Sequence, residues 1–134
     1  MGIIYDFGAG YVPSHQHQNG GGWVADTALV ASTVFVGRNA TVSGDAMIMG
    51  RATVTGNAVV SEGATVSGDA MITGDARVAG HAVVSGDAMI TGRATVTGNA
   101  VVSDGATVSG DARITGSTHI SGRVHVSGDL VIGD

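Results

Sequence analysis

The chain repeats itself every six residues. Residues 20–133 divide, without insertion, into 19 consecutive hexads, of which Gly68-Asp69-Ala70-Met71-Ile72-Thr73 is typical. The fifth place is Val or Ile in all 19, from Val24 to Ile132. The third place is Ala in 14 and otherwise Gly22, Val34, Thr118, Val124 or Leu130; the first place is Gly in 14. Third and fifth places lie two apart, so on an extended chain both point to one side, and the second and fourth point to the other. Each hexad therefore offers one small and one β-branched residue to an interior. Gly at the first place suits a sharp corner that needs positive φ. Helix is opposed by a Gly every six residues and by the period-two alternation. A hexad cannot bury its apolar side alone, whereas stacked coils can, so the expectation is an all-β solenoid.

Composition agrees with a thin interior and removes several function classes. Of 134 residues, 23 are Gly, 43% are hydrophobic and only 4% aromatic. With no Cys there is neither a disulfide framework nor a Cys-based zinc site. Every one of the six positive charges is Arg, against eleven acids, for a net charge of −5. That leaves no basic stripe to neutralise phosphates, so nucleic acid is not an expected partner. A single Pro excludes collagen. Met1–Tyr5 is too short for a signal peptide, and Asp6 stands where a myristoylation signal needs Ser or Thr. No apolar run approaches membrane-spanning length. The expected setting is the cytoplasm or a virion assembled there, with no membrane contact.

The segment Ile72-Thr73-Gly74-Asp75-Ala76-Arg77 places an aliphatic residue four positions before a small one, as do its neighbours. In this the chain resembles the hexapeptide-repeat family. The resemblance implies a left-handed parallel β-helix, a triangular solenoid with three hexads per coil and hence about six coils, an exception to the right-handed crossover rule. It also implies a homotrimer. Residues 1–19 stand apart as a non-repeating cap or arm, and residues 20–134 form the helix. The run Gly21-Gly22-Trp23-Val24-Ala25-Asp26-Thr27-Ala28, followed by Gly-x-Ala repeats, is similar to bacterial and prophage-encoded hexapeptide proteins, which implies a role in a phage particle.

A longer repeat overlies the short one. Residues 44–70 match residues 86–112 at 25 of 27 positions, differing only at Met49/Thr91 and Glu62/Asp104. The offset is seven hexads, which is not a multiple of three, so the copy is rotated by one face of the prism. A ligand site stacked along one face would be scattered by such a duplication and a stacking core would not, which favours a scaffold.

Outward residues three hexads apart stack on one face. One row reads Trp23, Thr41, Val59, Arg77, Thr95, Arg113, Val131, beside alternating charges at Asp75, Arg93, Asp111 and Asp129, a solvated ladder of little energetic weight. The other rows are apolar for outward positions: Leu29, Met47, Thr65, Val83, Val101, His119, and Phe35, Thr53, Met71, Met89, Thr107, His125. Stacked apolar residues mark a contact surface, so Leu29, Met47, Val83, Val101, Phe35, Met71 and Met89 are the expected interface of a self-associating chain.

Candidate chemistry is sparse. Acyltransferases of the hexapeptide family imply a catalytic His near a subunit boundary and loops ejected from the helix. No hexad carries an insertion, and His81 has no acid close enough to orient it as a base. γ-Class carbonic anhydrases imply zinc held by three His between subunits; His119 and His125 are candidates that diverge around a corner within one chain. Thr55, Thr73, Thr91, Ser109 and Ser127 stack along one edge, but no second Thr row completes a flat ice-binding array; their hydroxyls are expected on corner backbone groups. In the arm, Tyr5, Tyr11 and Pro13 suggest a cover over the first coil. His15 and His17 would sit on one side of an extended segment and, gathered threefold, would offer six nitrogens to an octahedral transition metal. At the other end the inward residues grow from Ala112 through Thr118 and Val124 to Leu130, so the last coil is either plugged by its own side chains or docked on another structural protein, as the arm also is a candidate to be. The expected function is a non-enzymatic spacer, fibre or decoration element; the alternative is a degenerate acyltransferase or carbonic-anhydrase-like metal enzyme.

Overall fold

A computed structural model describes residues 3–6 and 11–133, with side chains from Ser14 onward. It opens with β1 (Ile3–Asp6), β2 (Tyr11–Gln16) and β3 (Trp23–Ala25), followed by 18 strands of two residues each, from β4 (Leu29–Val30) to β21 (Val131–Ile132). Each short strand is the fourth and fifth place of a hexad, and strands pair in parallel with those one full coil above and below, as Thr65 with Met47 and with Val83. The result is a parallel β-solenoid of about six coils with three sheets and, among the described residues, no helix. We call the sheets faces A, B and C. Face A starts with β1, β2 and β3 and ends at β21; face B runs from Leu29–Val30 to His119–Ile120, and face C from Phe35–Val36 to His125–Val126.

Backbone bonds between coils hold the stack. The Thr65 N–H donates to the Ala82 carbonyl and the Ser67 N–H to the Val84 carbonyl, both at 2.9 Å, and this pattern recurs down each face. Third and fifth places fill the bore. From Ala40 to Ile114 every one of these side chains is essentially sealed from solvent, with Ile48, Ile72, Ile90 and Ile114 the largest. Ala next to each corner and Val or Ile on each side are what a narrow triangular interior accommodates, which is why aromatics are unnecessary in the core. At the last coil Thr118 is half-buried and Val124 and Leu130 are exposed, because no further coil among the described residues lies against them.

Corners carry the strain. All 15 first-place residues from Gly44 to Gly128 have φ between 59° and 74°. At Gly50 a Cβ would also lie 2.7 Å from the Gly68 carbonyl oxygen in the coil below, so both conformation and packing demand glycine. Two of the fifteen are nevertheless acids, Glu62 and Asp104. Each uses its carboxylate to accept the amide of the first-place glycine one coil below, Glu62 Oε1 from Gly80 N–H at 2.8 Å and Asp104 Oδ2 from Gly122 N–H at 3.2 Å. The first coil departs from the pattern: Asp26, Ser32 and Arg38 are not left-handed. There the hydroxyls of Thr27 and Thr33 donate to the carbonyls of Gly44 and Gly50. In the corners below, a second-place backbone amide makes the equivalent bond, as Asp45 to Glu62 and Arg51 to Gly68 at 2.9 Å.

Candidate functional site

Two places in the molecule collect chemistry-bearing or unpartnered side chains: the N-terminal cap and the apolar faces.

The cap is built by pairing. Strand β2 runs antiparallel to β3, with His15 opposite Val24 and Gln16 opposite Trp23, and β1 pairs antiparallel outside it. The tight segment that follows is held by the His17 N–H to the Gly22 carbonyl at 2.7 Å and the Gly21 N–H to the His17 carbonyl at 3.0 Å. It is joined to face C by the Gly22 N–H to the Val36 carbonyl and the Val36 N–H to the Asn19 carbonyl. Gly20 is obligatory, since its φ is 111° and a Cβ would lie 2.2 Å from the Val36 oxygen. The upper edge of coil one is thereby occupied on two faces. The side chains of Tyr5, Tyr11 and Pro13, expected to cover it, lie outside the described residues.

His15 and His17 both line a cleft of about 280 Å3 with Gln16, Gln18, Val30 and Ser32. Their roles differ. His15 is half-exposed, and its Nδ1–H donates to Asp26 Oδ1 at 2.8 Å. His17 is 5% exposed, and its Nε2–H donates to the Val34 carbonyl at 2.7 Å, tying the cap to the first coil. One nitrogen of each ring is thus already engaged. Among the described residues no three His, Cys, Asp or Glu side chains gather as a metal would need, so metal binding at His15 and His17 is a proposal about an assembly of several copies.

The remaining histidines are dispersed. His81 is exposed at a second place beneath Gly63, where a Cβ would lie 2.8 Å from its Nδ1; the absent side chain of Gly63 is what gives the imidazole room. His119 and His125 are exposed on faces B and C of one coil. The charge ladder is discontinuous: Arg93 pairs with Asp111 at 2.9 Å, but Asp75 accepts from Asn57 Nδ2 at 3.1 Å. A further pair, Arg51 with Asp69 at 3.2 Å, lies on a different edge. It is the copy of Arg93–Asp111 seven hexads earlier, and the sequence spacing could have revealed it. On the hydroxyl edges, Thr115 Oγ1 donates to the Ile132 carbonyl at 3.4 Å.

The second place is the pair of apolar faces. Leu29 is 64% exposed, and Phe35, Met47, Met71 and Met89 are each 37–39% exposed. Val83 and Val101 are half-buried by their stacked neighbours. Met49, which sequence reasoning did not single out, is equally exposed at the corner between faces B and C. It walls an apolar groove of about 230 Å3 with Leu29 and Met47. Every large hydrophobic exposed between coils one and five lies on face B, face C or their shared corner. Face A instead projects Arg77 and Arg113.

The family model described as YdcK Beta solenoid repeat matches residues 106–122. No curated protein and no solved structure matches the chain.

Proposed function

From the premise that the chain is a parallel β-helix of hexapeptide-type repeats, we propose that it is a non-enzymatic structural element that associates with copies of itself, as a homotrimeric spacer, fibre or decoration module. The observation that carries this is the distribution of exposed apolar side chains. Scattered surface hydrophobics are ordinary, but a continuous stripe along two faces and the corner between them marks a contact. Two adjacent faces are what a ring needs, because each member touches two neighbours. The two-copy internal repeat supports a scaffold over a substrate site, since it preserves the core and rotates every surface row. The likeness to prophage-encoded hexapeptide proteins supports a phage particle as the setting of such a module.

An enzyme would need a histidine oriented by a partner in a pocket that excludes water. The His15–Asp26 pair is half-exposed, and among the described residues the rings of His81, His119 and His125 accept or donate no hydrogen bond. The test is the solution mass of the full chain, by light scattering or sedimentation. Wild type is expected at three chains and Met71→Asp, with its charge in the contact, at one. A wild type of monomer mass overturns the reading.

A further inference from the structure

We infer that the two apolar faces are made for each other: face B of one copy lies on face C of the next, axes parallel and coil against coil. The inference rests on the self-association reading and specifies its geometry.

Three observations carry it. First, the rows match by size when read at equal height. In coil two Met47 on face B meets Thr53 on face C, in coil three Thr65 meets Met71, and in coil four Val83 meets Met89. At each level one long flexible side chain faces a short one, and none of the six is charged. Packing face C on a second, antiparallel face C would instead set Met71 against Met89 and Thr53 against Thr107, crowding two levels and leaving gaps at two others.

Second, the internal repeat manufactures this pair of faces. The hexad that presents Met47 on face B is copied seven hexads later as the one that presents Met89 on face C. A twofold contact would require one apolar face, whereas a head-to-tail ring requires two different ones.

Third, area favours a ring. At about 4.8 Å per coil and about 3.3 Å per residue, a face of six coils measures roughly 29 by 16 Å, so one contact covers roughly 900 Å2 from both sides together. That is slightly under the roughly 1,000 Å2 expected of one specific interface, and ring closure makes every copy form two. Face A would stay outward, keeping Arg77 and Arg113 in water, where an unpaired guanidinium incurs no desolvation cost.

The chain has no cysteine, so disulfide trapping reports only on introduced thiols. The experiment oxidises full-length protein carrying Val83→Cys and Met89→Cys together. The expected product is a covalent three-chain species, because the two thiols diverge around a corner within one chain and meet only between chains. Each single variant is expected to remain uncrosslinked. Thr65→Cys with Met71→Cys tests the same register one coil away, should the first pair disturb folding. A trimer by mass that yields no crosslink from either pair overturns the register and leaves self-association standing. Crosslinking of Met89→Cys to itself overturns it in favour of face C on face C. A monomeric wild type overturns both.

Discussion

Glu62 and Asp104 show how one residue can depart from a motif and keep the fold. Each occupies a left-handed corner that glycine fills elsewhere, at φ of 60° and 59°, a conformation that costs an L-residue about 1–2 kcal/mol. Each offsets this by accepting the amide of the glycine one coil below, a bond worth about 1 kcal/mol, and somewhat more to a charged acceptor. A glycine follows in both cases, Gly63 and Gly105, which keeps the second place open. Two substitutions separate the terms. Asp104→Ala keeps the strain and loses the acceptor, and is expected to lower unfolding free energy by about 1–2 kcal/mol in urea. Asp104→Gly loses both and should stay within about 0.5 kcal/mol of wild type; equal losses in the two variants would show that the carboxylate does not compensate. The sequence marks these positions only as non-glycine. That the side chain turns down the stack is invisible in it, because the acceptor and its amide are separated by a whole coil of chain.

The coil as an element was legible almost in full. Period-two alternation inside each hexad specified which side chains point inward. One hexad per side of a triangle specified parallel pairing between successive coils, as between Val78 and Val96. The cap was not legible to the same degree, because residues 11–22 have no repeat to align and their antiparallel partner, β3, is recognisable only as the first strand of the solenoid. The alternate spacing of His15 and His17 suggested paired ligands; the folded cap divides them, one half-exposed on Asp26 and one buried on the Val34 carbonyl. His17→Ala removes a buried donor and leaves that carbonyl unsatisfied, a loss of about 1–3 kcal/mol. Its effect should be local: amide exchange accelerates in Trp23–Ala25 and Phe35–Val36 while Ile72 and Ile90 keep their protection. Uniform acceleration through all coils would show instead that the cap stabilises the solenoid as a whole.

For the whole molecule, the core is indifferent to which hexad stands where, and the surface is not. Third and fifth places are nearly interchangeable along the chain, so coil formation should survive removal of any whole hexad. Deleting residues 74–79 is expected to leave a folded β-helix in which every later row moves round by one face. Arg113 then joins the row of Phe35, Thr53 and Met71, and self-association should be lost. Deleting residues 68–85, a complete coil, keeps each remaining row on its own face and should retain assembly. Circular dichroism checks the first expectation and solution mass the second; a single-hexad deletion that assembles as wild type would mean that the rows do not make the contact. Six-residue periodicity dictated strand, corner and interior on its own, because each follows from side-chain alternation and backbone sterics within a few residues of the chain. Which side chains became neighbours at the cap, at the corner acids and along the apolar faces depended on closure of the coil after every third hexad and on how the arm met the first coil. Those neighbours are far apart in sequence, and only the folded backbone sets the distances between them.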